Sequence, residues 1–321
     1  MTLPHVLPHD RWLSPLSYRY GSTAMRALWG EVEKRTSWRR VWVALARAQA
    51  RLGLFGEDLV AELEAKVDAI DVEAAHVLEA ELKHDLVAEL RVFAGQCPRA
   101  GRVLHLGATS MDIEDNADVV RMKRGLGLVL GALDRLLAAL AVQIDALADH
   151  VTMGMTHLQP AEPTTLGYRL AQYAQDLLED RKALGAIARD LRGKGMKGAV
   201  GTSASYTELF ADLETVHQME RLAMGELGLD SFAVATQTYP RKQDLTVVDA
   251  LASLGQSLYR MAFDLRLMQS PLSGEAAEPF GDRQVGSSAM PFKRNPVAAE
   301  NIDSLARQLA ALPRIAWDNA A

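Results

Sequence analysis

The sequence predicts an all-α protein: a bundle of long helices preceded by a smaller helical domain. Three observations carry that expectation. Apolar residues recur at alternating spacings of about three and four at Val119, Met122, Leu126, Val129, Leu133, Leu136 and Leu140, the seam of a helix packed lengthwise on others. The same spacing returns at Leu251, Leu254, Leu258, Met261, Leu265 and Met268. Strand-like alternation is scarce.

Taken in order, residues 1 to about 108 read as a domain of shorter helices, one ending near Gly53 and another across Val72–Leu82. The first residues, MTLPHVLPHDRW, lack the basic flank and apolar stretch of a signal peptide. Residues 109–321 read as the bundle. Its first helix is expected from Asp112 to about Asp149, roughly 55 Å at 1.5 Å per residue. A third amphipathic stretch, Leu166, Leu170, Tyr173 and Leu177, begins after Pro163-Thr164-Thr165, a good helix entry. The 251–268 seam stops before Pro271, and a last helix starts after Pro296. Apolar faces of this length exceed what one chain covers, which predicts a homo-oligomer. The most apolar region, Gly125–Ile144, is interrupted by Asp134 and Arg135, leaving runs short of a membrane span.

Composition narrows the function classes. Apolar content of 49% with 24% charged residues is ordinary for a soluble globular protein. A net charge of −6, from 35 basic and 41 acidic residues, disfavours nucleic acid as partner but leaves room for a local cationic site. The single cysteine, Cys97, excludes an intrachain disulfide framework and fits the cytoplasm. No His/Cys/carboxylate cluster has zinc spacing, so neither metal nor organic cofactor is expected. Gly193-Lys-Gly-Met-Lys-Gly198 satisfies G-x-G-x-x-G without the preceding strand of a dinucleotide fold, and reads as a flexible glycine-rich loop.

The most informative stretch is Gly286-Ser-Ser-Ala-Met-Pro-Phe-Lys-Arg-Asn-Pro296. Flanking glycines and prolines argue for a loop. Two hydroxyls, a lysine and an arginine on a loop suit an anionic substrate and proton transfer. The segment resembles the signature of the fumarase/aspartase superfamily and, within it, the adenylosuccinate lyase family. His105-Leu-Gly-Ala-Thr-Ser-Met-Asp112 and Thr156-His-Leu-Gln-Pro-Ala-Glu-Pro-Thr-Thr165 are similar to that family's other two signatures. Ser14-Pro-Leu-Ser-Tyr-Arg-Tyr20 and Lys83-His84-Asp85 also match, in the family's order.

The resemblance implies β-elimination: a base takes the proton beside a carboxylate of a succinyl group, an acid protonates the departing nitrogen, and fumarate leaves. The carbanion spreads into its carboxylate, so cations and backbone amides should surround it. On that basis His157 is the expected acid, since imidazole titrates near neutrality. Ser287 is the expected base, with Ser288 the alternate; its alkoxide would need Lys293, loop amides and exclusion of water. Lys293 and Asn295 are expected on the substrate carboxylates. Lys83, His84 and Asp85 are expected to bind substrate, with His84 near the phosphate or assisting proton transfer. Arg19 and Tyr20 correspond to a phosphate-contacting pair, arginine being suited to bidentate phosphate binding. Thr109 and Ser110, before the long helix, and Thr156 are expected on substrate, as are Gln237 and Asn301. The implied substrate is a succinylated purine nucleotide of purine synthesis and the implied assembly a homotetramer with shared sites, without nucleic acid or membrane. Members of the family continue well beyond the equivalent of Ala321, completing the last helix and adding a third domain, so the chain is expected to be a fragment or natively short. Two alternatives remain: argininosuccinate lyase or another fumarate-releasing relative, against the former of which Ala289 and Phe292 argue, and a non-catalytic helical oligomerisation scaffold.

Overall fold

A computed structural model describes residues 12–321; all but Trp12 of the stretch read for a signal peptide lies outside them. After a π-helical turn at Leu16–Tyr20 come α1 (Thr23–Leu28), α2 (Glu31–Arg51), α3 (Glu57–Glu64), α4 (Val72–Leu82), α5 (Asp85–Gln96) and α6 (Ser110–Ala146). A hairpin of β1 (Val151–Thr156) and β2 (Gln159–Thr165) leads into α7 (Leu166–Asp190), then β3 (Arg192–Gly193), α8 (Ala204–Phe210), α9 (Leu213–Glu226) and β4 (Asp230–Ser231). The chain ends with α10 (Lys242–Gln269), α11 (Val297–Leu309) and α12 (Leu312–Asn319). It divides into two compact units, each discontinuous in sequence. Unit 1 runs to Leu128 and resumes over Leu191–Tyr239; unit 2 holds Val129–Asp190 and Pro240–Ala321.

In unit 1 the core gathers on α2. Glu31 and Glu33 in its first turn complement the helix dipole, and its inward face buries Trp38, Val41, Trp42, Leu45 and Ala48 against α3 and α9. Burial of a large apolar side chain contributes about 1.5–3 kcal/mol. One charged cluster is folded in as well. Arg35 and Arg39, both fully buried, share the buried carboxylate of Glu89 on α5, at 3.2 Å and 2.6 Å, and Arg39 reaches the Lys66 carbonyl at 2.8 Å. Deleting one partner of such a group strands a buried charge, at about 3–5 kcal/mol.

In unit 2, α7 and α10 pack together and α10 also carries α11 and α12. Polar pairs stitch the packed faces. Asp180 accepts from the hydroxyls of Ser253 and Ser257 at 2.9 Å and 2.6 Å, Tyr173 donates to Asp264 at 2.7 Å, and Arg266 pairs with the buried Asp303 at 2.6 Å.

Of the seam residues of α6, Val119, Leu126, Leu133 and Leu140 are buried, and Met122, Val129 and Leu136 are half-buried. Three local features differ from the sequence reading. The stretch around His157, expected as a loop between helices, is the β1–β2 hairpin, antiparallel with a bulge between Met153 and Met155. Its prolines at 160 and 163 hide the strand, because proline is tolerated only at such edges. The C-terminal helix breaks at Ala310-Ala311 before α12 begins. Finally, α6 is long and apolar enough by composition to cross a bilayer, with a mean hydropathy of 1.8 over its most apolar window, only 17% of which is buried. The charged interruption lies in that region, where Asp134 is paired with Arg181 of α7.

Candidate active site

The expected residues of unit 1 collect around helix starts. Lys83 caps α4 in the left-handed conformation (φ 56°), which turns the chain so that His84 stands before α5 and Asp85 opens it. His84 Nε2 lies 3.5 Å from Ser110 Oγ, and its Nδ1 lies 3.7 Å from Asp85 Oδ1. Thr109 and Ser110, half-buried, stand at the start of α6, and helix starts of this kind suit a carboxylate. Arg19 and Tyr20 are exposed at the end of the π-helical turn, which Arg26 Nη1 holds through the carbonyls of Ser17 and Tyr18 at 3.4 Å and 3.2 Å. Gln237 is exposed on a segment fixed on both sides. A Cβ at Gly201 would fall 1.9 Å from the Ala235 carbonyl oxygen, and Tyr239 N–H donates to the buried Asp115 at 2.9 Å.

Sequence reasoning missed the groups that hold this region. Asp112 is wholly buried. One of its oxygens accepts from Lys194 Nζ and from the amides of Lys197 and Gly198 at 3.1 Å and 3.2 Å. The other accepts from Thr109 N–H at 3.0 Å, Gly198 N–H at 3.1 Å and Tyr206 OH at 3.1 Å. The glycine-rich segment 193–198, read as flexible, is therefore buried and tied down. Glu220 completes the hold, taking Lys197 Nζ at 2.7 Å and Met196 N–H at 3.0 Å. Burial, and then the negative charge of Asp112, push the Tyr206 phenol well above its ordinary range, so it stays a donor. His105, on a left-handed turn (φ 64°), accepts from Trp42 Nε1 at 3.0 Å through Nδ1, and burial lowers its pKa, which keeps it neutral. Glu114, one helical turn past Ser110, is pushed up to about 7 by burial first and then by Asp85, Asp118 and Asp115, against the pull of Lys34. A two-lysine glycine loop was the available signal; its carboxylate partner lay some eighty residues away in sequence.

The expected residues of unit 2 stand on turns. His157 and Leu158 form the two-residue turn of the hairpin, both left-handed (φ 53° and 59°), which puts His157 in solvent at the tip, next to the exposed Thr156. The loop before α11 folds back on itself. A Cβ at Gly286 would sit 2.0 Å from the Lys293 carbonyl oxygen, and Asn295 Nδ2 donates to the Gly286 carbonyl at 3.2 Å. Within this fold the Ser287 hydroxyl oxygen accepts from the amides of Ala289 and Met290 at 3.3 Å and 3.1 Å. Ser288 and Lys293 are exposed on the same loop, and Asn301 is exposed on α11. The loop's base is fixed by Glu278, which accepts from the first amides of α11, Ala298 at 3.1 Å and Ala299 at 2.6 Å.

One cavity of about 330 Å³ opens in unit 1 between α2, α6 and the end of α9. It holds none of the expected residues. Its guanidinium groups are matched one by one: Arg40 with Asp68, Arg47 with Glu64 and Glu226, and Arg124 with Glu33. Among the described residues, no group of three or more His, Cys, Asp or Glu is arranged to hold a metal ion.

Comparison with known proteins shows the family. A family model described as Lyase matches residues 23–310. Adenylosuccinate lyase of Schistosoma mansoni is 38% identical over 304 residues, covering 94% of this chain and 63% of that protein. Adenylosuccinate lyase of Saccharomyces cerevisiae is 36% identical over 310 residues, covering 95% and 64%. The chain thus spans just under two thirds of the length of these relatives. A solved structure, the 3-carboxy-cis,cis-muconate lactonizing enzyme from Pseudomonas putida, superposes with a TM-score of 0.83 at 27% identity, over 93% of this chain and 66% of that one. The chain belongs to the lyase family of the fumarase/aspartase superfamily, with adenylosuccinate lyases among its relatives.

Proposed function

We propose that this chain carries out the β-elimination of fumarate from adenylosuccinate, giving AMP, and from succinyl-aminoimidazole-carboxamide ribotide in the same biosynthesis. The observation that carries the reading is the environment of Ser287. Two loop amides already donate to its hydroxyl oxygen, which is what an alkoxide base requires, since a free serine hydroxyl is otherwise far too weak. Lys293 on the same loop supplies the cation, and Lys293 with Asn295 binds the carboxylates. His157, on a solvent-facing turn, protonates the departing nitrogen. Thr109, Ser110, Thr156, Gln237 and Asn301 hold the succinyl group, while Arg19, Tyr20, Lys83, His84 and Asp85 hold the phosphate end, with His84 assisting proton transfer.

The exposed apolar side chains of the helices, Leu128 and Val142 on α6 and Leu178 on α7 among them, support assembly into a homotetramer whose sites are shared between subunits, in the cytoplasm. No metal or organic cofactor takes part. The muconate lactonizing enzyme shares the fold, but identity is higher to the lyases, 38% against 27%.

The test is fumarate release from adenylosuccinate, with argininosuccinate run alongside. Release from adenylosuccinate only is the expected outcome. Release from argininosuccinate alone would replace the substrate assignment. Release from neither would mark this stretch as an incomplete enzyme, to be retested together with the remaining third that its relatives carry. Continued silence from that longer chain would leave the scaffold reading in its place.

A further inference from the structure

We infer that Asp112 is a positioning residue of the reaction: it locks the Thr109-Ser110 turn to the glycine-rich loop 193–198 and so sets where the substrate carboxylate is held. The inference rests on the lyase reading above. Its starting point is a loop that looks built for an external anion. Successive amides with glycine freedom make an anion-binding concavity, and a lysine beside it adds charge. Here the anion is internal. The amides of Lys197 and Gly198, the ammonium of Lys194 and the phenol of Tyr206 all point at one carboxylate of the same chain.

That carboxylate also accepts from Thr109 N–H, at the entrance of α6. Asp112 is therefore a rivet between two segments. On one side it fixes the turn whose Ser110 hydroxyl stands beside His84. On the other it fixes a loop whose continuation bonds back to the same turn, Ser205 Oγ donating to the Gly107 carbonyl at 2.6 Å. Gly107 itself (φ 74°) is pressed against the Tyr206 ring, where a Cβ would come within 2.7 Å. Stability alone does not require this arrangement, since a buried ion pair is often replaceable by apolar groups without loss. What apolar replacements cannot reproduce is the direction of several convergent hydrogen bonds, and displacing a binding group by about 1 Å can cost about 100-fold in rate.

The test uses two variants of the full chain. Asp112→Asn combined with Lys194→Met removes both buried charges together. Tyr206→Phe takes away a single donor and leaves the charge pair intact, so it carries the test should the double variant fail to fold. For each, kcat and KM for adenylosuccinate are measured on folded oligomer, with amide exchange at Thr109, Lys197 and Gly198 and the melting temperature. The expected result is a kcat/KM reduced about 100-fold in the double variant and about tenfold in Tyr206→Phe, with faster exchange at those amides. A merely structural role would lower the melting temperature and leave kcat/KM of the folded fraction unchanged, and that result in both variants overturns the inference. A wild-type oligomer that neither releases nor binds fumarate removes the lyase reading, and the positioning role with it. A fully active wild type with equally active variants removes the positioning role alone.

Discussion

The two units present their proposed site residues in opposite ways. In unit 1, Thr109 and Ser110 sit on a turn pinned by a fully buried carboxylate, and Gln237 on a segment held by Gly201 and Asp115. In unit 2, His157 stands at the solvent-facing tip of a two-stranded hairpin and Ser287 on a surface loop held by Glu278 at its base and by Gln269 at the Arg294 carbonyl. The difference teaches a division of labour. Among these residues, Thr109, Ser110 and Gln237, proposed to hold the succinyl group, stand on segments tied to buried carboxylates. The proposed acid and base, His157 and Ser287, stand instead on a turn and a loop at the surface, the kind of segment that can close over a substrate and exclude water. Substitutions in the pinned segments of unit 1 that carry these residues should therefore act on stability and activity together, and substitutions in the turn and loop of unit 2 that carry His157 and Ser287 on activity alone.

The sharpest way to break that contrast is His157→Ala. Loss of a general acid costs about 100- to 10,000-fold in turnover, while an exposed turn position should leave the melting curve unchanged. Activity retained, or a cooperative loss of fold, would each contradict the contrast. A matched pair of glycines comes next. Gly201→Ala forces a Cβ into the Ala235 carbonyl at a left-handed position (φ 84°) and should destabilise unit 1 by about 3 kcal/mol. Gly286→Ala creates a comparable clash with Lys293, but in an exposed loop it should lower turnover about tenfold or more with little change in the urea midpoint. Equal loss of stability in the two variants would erase the distinction.

Glu114 gives a smaller, pH-dependent effect. In the folded chain it keeps its proton up to about pH 7, against an ordinary value of 4.5. A raised folded pKa means that stability is fully present below 4.5 and is lost as pH climbs through 7. Because the group is only half-buried, solvent screening reduces the effect to about 1–2 kcal/mol. Glu114→Gln should thus be more stable than wild type at pH 8 by that amount and equal at pH 4, read from urea midpoints. The smallest effect expected is that of Ser288→Ala. Its hydroxyl accepts none of the loop amides that reach Ser287, so turnover should change about twofold or less, while Ser287→Ala should lose it; the reverse ranking would exchange the two serines.

Long-range helical order was legible in the sequence because it is written in local spacing. Val119 through Leu140 marked α6, and Val72–Leu82 matched α4 residue for residue. The hairpin carrying His157 was not legible, since its prolines and bulge suppress strand alternation and its turn uses histidine and leucine where glycine or asparagine is usual. Signature residues were found because they cluster in short words. Asp112 stood inside such a word and was passed over as part of it; its partners Lys194, Gly198 and Tyr206 are close only in space. Burial is what turned a polar glycine loop into a scaffold, and burial has no local spelling.

The discontinuity of unit 1 also fixes when it can form. Asp112 leaves the ribosome 82 residues ahead of Lys194, which at about 5–20 residues per second is a delay of about 4–16 s. During that time the Asp112 carboxylate lacks Lys194, Lys197, Gly198 and Tyr206, and all of α7 is made before the loop that closes around it appears. Unit 1 thus reaches its final form only after the hairpin and α7 have emerged, and neither stretch of unit 1 expressed without the other contains both halves of its own lock.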